Sequence, residues 1–96
     1  MNNTRDDKIL KAFGAHLRKH RKAKGWTMKD LAFEADVELS QVHRNEKGIT
    51  NPTLTTIVRY AKALEITVTE LLNFKYYSAY LFHKFLFPYH NAIHLN

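Results

Sequence analysis

The sequence predicts an all-α fold, a compact domain of five short helices followed by an aromatic C-terminal tail. Three observations carry that expectation. Apolar residues recur at the spacing of a helix with one buried face. Helix-start and helix-stop residues bracket those stretches. The chain has 96 residues and no cysteine. A core that small buries roughly 60% of the unfolded surface, without disulfides or a thiolate zinc site, and packed helices with short connections are the economical way to build it.

The elements follow in order. From Asp6 to Lys24, Ile9, Leu10, Phe13 and Leu17 fall at helical spacing with Ala12 on the flank, while basic residues take the other positions. Gly25 ends this helix, because glycine adopts the left-handed backbone of a C-terminal cap. Thr27-Met-Lys-Asp30 then offers a side-chain oxygen to orphan amides, with Asp30 where Glu would complete a capping box. Trp26 stands ahead of it as a hydrophobic staple. A second helix over residues 28–35 carries Leu31, Ala32 and Ala35 as its apolar residues. A turn near Asp36-Val-Glu38 leads into a third helix over residues 39–46, ended by Lys47-Gly48. On a helical wheel Val42 points away from Ser40, Arg44 and Lys47, with His43 beside them, so Val42 belongs to the core.

Asn51-Pro52-Thr53 reads as the start of a fourth helix, with proline at the first helical position. Its expected buried stripe is Leu54, Ile57, Val58, Ala61 and Leu64. Thr67-Val-Thr-Glu70 is a capping box for a short fifth helix through Leu71, Leu72 and Phe74. Residues 75–87 change character, being aromatic-rich and nearly uncharged before Pro88. Their length suits a helix, whereas the alternation at Phe85-Leu-Phe87 suits a strand. The expected domain boundaries are 1–74 and 75–96.

The net charge of +6 is unevenly placed: residues 1–29 hold nine Lys and Arg against Asp6 and Asp7, and residues 30–96 hold six against seven acids. That asymmetry suits a phosphate backbone or an anionic membrane, and equally a solvated helix face. The spacing of small residues is more informative. A helix-turn-helix crosses two short helices steeply, so the contact residues must be small and apolar. Ala32 and Val42, ten residues apart, meet that need.

From Phe13 to Phe74 the sequence resembles the lambda-repressor/Cro-like (Xre-type) helix-turn-helix DNA-binding family without a gap. Phe13-Gly-Ala-His-Leu17-Arg18 looks like the opening helix, and Arg21 with Gly25-Trp-Thr-Met-Lys-Asp-Leu31-Ala32 like the second-helix entry. Val42, Glu46, Gly48 and Asn51-Pro52-Thr-Leu54 match the recognition helix and the start of the next. Ala61-Lys-Ala-Leu64 and Glu70-Leu71-Leu72 complete the register.

The resemblance implies a transcriptional regulator, a repressor in the first instance, whose third helix enters the major groove of double-stranded DNA. Leu39, Ser40, Gln41 and Arg44 are its implied base-reading residues, through a thymine methyl, adenine and guanine edges. Thr27, Met28, Lys29, His43, Lys47, Thr50 and Asn51 are the implied phosphate contacts. Arg21 and Glu46 match a pair that is ionically bonded in relatives. Four positions depart from the pattern. Asp36 and Glu65 each replace a glycine, implying strained turns. Asn45 replaces an aliphatic residue, and is expected to be locally satisfied or half-exposed, the alternative being a reach outward to DNA. His20, where an apolar residue is usual, is expected to be a packed neutral histidine.

No nucleophile motif, glycine-rich phosphate loop or carboxylate cluster points to an enzyme, and no cofactor is expected. His83, His90 and His94 are spaced irregularly around Pro88, so no metal site is expected either. The polar N-terminus lacks a signal-peptide core, and no stretch of 18 apolar residues exists, which points to a cytoplasmic location and no membrane partner. The aromatic tail, with the fifth helix, is expected to form a homodimer contact, the alternative being a tail folded onto its own core. Antitoxins and restriction–modification controller proteins share the resemblance, and a protein-interaction scaffold without sequence-specific DNA binding is the rival class.

Overall fold

Asp6 caps the first helix of the computed structural model, which describes residues 6–74. Its carboxylate accepts from the Lys8 and Ile9 amides at 3.0 and 3.2 Å, satisfying donors that have no partner inside the helix. Helix α1 (Asp7–Ala23) buries Leu10, Phe13, Gly14, Leu17 and Arg21 along one stripe. Ile9, expected in that stripe, is 38% exposed at its edge. Lys24 is the C-terminal cap, and Gly25 follows at φ +75°.

Helix α2 (Met28–Ala35) opens with a complete capping box. The Thr27 amide donates to Asp30 Oδ2 at 2.8 Å, and the Asp30 amide to Thr27 Oγ1 at 3.1 Å. The shorter aspartate therefore closes the box as glutamate would. The first of those bonds holds the Asp30 carboxyl below its ordinary value. Trp26, just ahead of the box, packs half-buried against the core. The helix ends on Asp36 at φ 57°, a left-handed conformation that lets the Val37 amide reach the Ala32 carbonyl at 3.0 Å.

Helix α3 (Leu39–Lys47) has no side-chain cap at Glu38 and ends on the left-handed Gly48. A Cβ on Gly48 would come within 2.7 Å of the Lys11 Cα, so this turn needs glycine for space as well as for φ. Helix α4 (Leu54–Leu64) is capped by Thr53, whose hydroxyl accepts from the Thr56 amide. The start thus lies two residues later than Pro52 suggests, because the threonine supplies the cap oxygen that proline cannot. The buried stripe is also rotated. Thr56, Tyr60, Ala61 and Leu64 are buried, Ile57 is packed against them, Val58 is half-buried and Leu54 is 71% exposed. Tyr60 draws the stripe towards itself, which leaves Leu54 about 90° from its centre in the first turn.

Helix α5 (Val68–Leu72) has the expected capping box between Thr67 and Glu70. Phe74 lies beyond its end yet is buried, its ring 6.3 Å from that of Phe13 and edge-on to it. Glu65 joins α4 to this segment at φ 58°. Helix α3 packs on α1 and α2, α2 on α4, and α5 closes the other side against α1 and α4. Leu17, Leu31, Val42, Tyr60 and Leu71 form the fully buried centre. The expected aromatic tail, its helix-or-strand alternative and its dimer contact lie outside the described residues.

Candidate nucleic-acid interface

Helix α3 is fastened along its inner side by polar contacts from two different helices. From α1, Arg21 Nε and Nη2 donate to Glu46 Oε2 and Oε1 at 2.7 and 2.9 Å, a bidentate pair. Arg21 Nη1 also donates to the Trp26 carbonyl at 2.7 Å. The side chains are only 7% and 2% exposed. Hydrogen bonding to Glu46 pushes the Arg21 guanidinium further above its ordinary value. One arginine therefore joins α1, the α1–α2 turn and the end of α3.

From α4, the Tyr60 hydroxyl donates to Asn45 Oδ1 at 2.7 Å, and Asn45 Nδ2 donates to the Thr50 carbonyl at 3.3 Å. Both side chains are fully buried, so each hydrogen bond replaces water that cannot reach them. Asn45 is fully buried rather than half-exposed, and is satisfied both nearby, by Thr50, and from another helix, by Tyr60, a partner the sequence did not point to. No spacing rule links two residues on different helices. Burial pushes the Tyr60 phenol well above its ordinary value.

With the inner side held, the outer side of α3 is free. Leu39, Ser40, His43 and Arg44 border a shallow groove with Met28 from the start of α2 and Glu38 from the turn. Three of the four residues expected to read bases thus share one surface with the expected phosphate contacts Met28 and His43. Gln41, the fourth, lies on the flank. It is half-buried, and its Nε2 donates to Thr56 Oγ1 at 3.2 Å, which also accepts from Thr53 Oγ1 at 3.1 Å. Lys47 and Asn51 are exposed, whereas Thr50 is half-buried with its carbonyl used by Asn45.

At the start of α2 the capping box uses the Thr27 and Asp30 amides, leaving those of Met28 and Lys29 as the first-turn donors outside it. Arg59 of α4 donates to the Asp36 carbonyl at 2.9 Å, bracing the turn between α2 and α3. Among the described residues no buried side-chain nitrogen or oxygen lacks a partner. No described helix is long and apolar enough to cross a membrane.

This two-helix unit, with its outer α3 face open and its inner face pinned, is that of a DNA-binding regulator domain. The chain belongs to the helix-turn-helix family, whose sequence model matches residues 17–71, and is of the Xre-like type. The family is one of DNA-binding transcriptional regulators, not of enzymes. The chain is 34% identical over 61 residues to the HTH-type transcriptional regulator SlrR of Bacillus subtilis (strain 168). That match covers 62% of this chain but only 40% of SlrR. Among solved structures, the restriction–modification controller protein C.AhdI of Aeromonas hydrophila superposes with a TM-score of 0.64 at 38% identity. The match covers 69% of this chain and 98% of C.AhdI. The clp gene regulator ClgR of Corynebacterium glutamicum reaches the same TM-score at 28% identity, over 67% of this chain and 68% of ClgR.

Proposed function

We propose that this chain is a sequence-specific regulator that binds double-stranded DNA, reads the major groove with α3 and represses transcription from its site. The observation that carries the reading is the division of α3 into a pinned inner side and an open outer one. Val42, Asn45 and Glu46 hold the helix, while Leu39, Ser40, His43 and Arg44 share the open groove. Arg44 presents a guanidinium fork for guanine O6 and N7, Ser40 hydrogen-bonds a base edge, and Leu39 meets a thymine methyl. Gln41 enters from the flank with one amide hydrogen held by Thr56, which fixes the plane in which it meets adenine. His43 and Lys47 contact phosphates on either side. Thr27, Met28 and Lys29 receive a phosphate at the start of α2, with Thr50 and Asn51 on the opposite strand.

Residues 1–74 form the DNA-binding unit in this reading, and residues 75–96, with α5, join two copies for a paired half-site. The protein acts in the cytoplasm without a cofactor. A controller of a restriction–modification system is the more specific version, favoured by the match to 98% of C.AhdI. Selection of binding sites from a random duplex pool tests the proposal. The expected result is a single motif preferred roughly 10³-fold or more over random DNA, with salt-sensitive affinity. Enrichment of no motif at any salt concentration overturns it in favour of a protein-binding scaffold.

A further inference from the structure

Helix α1 carries two histidines one turn apart, His16 and His20, which the DNA-facing chemistry does not use. Their Nε2 atoms lie 3.2 Å from each other. The rings are nearly perpendicular, with centroids 4.5 Å apart. His16 Nε2 also sits 2.9 Å from the Glu70 carbonyl oxygen of α5, and its ring lies against Phe74. Residues four apart on a helix share a face. Here the Glu70 carbonyl of α5 and the Phe74 ring lie against His16, and the two half-buried rings bring their Nε2 atoms side by side.

Bonds of about 2.0–2.1 Å from a metal to imidazole place two ligand nitrogens about 2.9 Å apart at a right angle and about 3.3–3.4 Å apart at a tetrahedral one. The observed separation lies between those values. We propose that His16 and His20 form a bidentate site for a divalent transition-metal ion of the imidazole-preferring class, Zn²⁺, Ni²⁺ or Cu²⁺. Among the described residues no third His, Cys, Asp or Glu completes a metal-binding group with them. The described residues thus fill two of the ion's coordination positions.

Binding requires His16 Nε2 to release the Glu70 carbonyl. That oxygen keeps the Asn73 amide as a donor at 3.2 Å, so it is not left without a partner.

Zn²⁺ titration of the full chain at neutral pH, followed by NMR of the histidine rings, tests the site. The His16 and His20 ring signals are expected to shift together and saturate at one equivalent. His16→Gln and His20→Gln are each expected to weaken binding at this site by about tenfold or more, since the second ligand then acts no longer intramolecularly. Unchanged helicity in both variants shows that folding is not the cause. Ring signals that do not move, or an affinity at His16 that His20→Gln leaves unaltered, would overturn the assignment.

Discussion

Arg21 and Glu46, 25 residues apart, meet in two parallel hydrogen bonds of 2.7 and 2.9 Å inside the domain. A buried pair of this kind adds little net stability over an apolar replacement, but removing one member leaves the other charged and dry. Glu46→Ala is therefore expected to cost about 3–5 kcal/mol. Calorimetry should show a melting temperature lowered by more than about 10 °C in a domain of this size. DNA affinity should fall with it, because the same residue holds the end of α3. The double variant Arg21→Met/Glu46→Leu should regain much of the lost stability, and failure to do so would assign Arg21 a role beyond its pairing.

Tyr60→Phe removes a single oxygen and leaves Asn45 Oδ1 buried without its donor. The expected loss is about 1–3 kcal/mol in denaturant unfolding. Tyr60 also sets a pH dependence. Its phenol is raised in the folded state, so the folded chain holds a proton that the unfolded chain releases above about pH 10. Its linkage contribution is therefore constant below that pH and becomes increasingly unfavourable to folding above it. Absorbance titration should show one tyrosine ionising only with unfolding, and that late phase should be missing in Tyr60→Phe.

Gly14 sits where α1 and α3 touch. A Cβ there would meet the backbone carbonyls of Asn45 and Glu46, neither of which can swing aside as a side chain does. Gly14→Ala should therefore destabilise by about 1–3 kcal/mol despite alanine's better helix propensity. A stabilised variant would mean that the two helices stand further apart.

Glu65 adopts φ 58° at the end of α4, and its exposed carboxylate pairs with Lys24 at 2.8 Å. That pair lowers the Glu65 carboxyl below its ordinary value, yet exposed pairs add little stability. Glycine relieves about 1–2 kcal/mol of left-handed strain and gives back part of it through a freer unfolded chain. Glu65→Gly should thus stabilise by about 0.5 kcal/mol, readable as a small rise in denaturation midpoint with unchanged slope.

Arg44 and Lys47 separate base reading from phosphate contact on the proposed DNA face. Arg44→Ala should cost about 1–3 kcal/mol and relax preference at one position of the selected motif. Lys47→Ala should weaken all sequences alike and reduce the salt slope by about one. Equal, sequence-independent losses in both variants would remove Arg44 from base reading.

The sequence alone determined most of the helix ends, because those signals are local, although α4 starts two residues after the position Pro52 suggests and α5 stops short of Phe74. Thr27 with Asp30, Thr67 with Glu70 and the glycines at 25 and 48 act over three or four residues, and the capping and stop geometries followed from them. The register of Ala32, Val42 and Leu64 was legible for a related reason: one periodic face must be buried. What tertiary structure alone decided was how each helix is turned about its axis. Leu54 stands in solvent and Thr56 and Tyr60 lie inside because Tyr60 reaches Asn45 on another helix. Gln41 is drawn to the flank of α3 by Thr56 in the same way. Hydrophobic periodicity specifies a face only to within a residue or so, and long-range hydrogen bonds between buried polar groups choose among the remaining rotations.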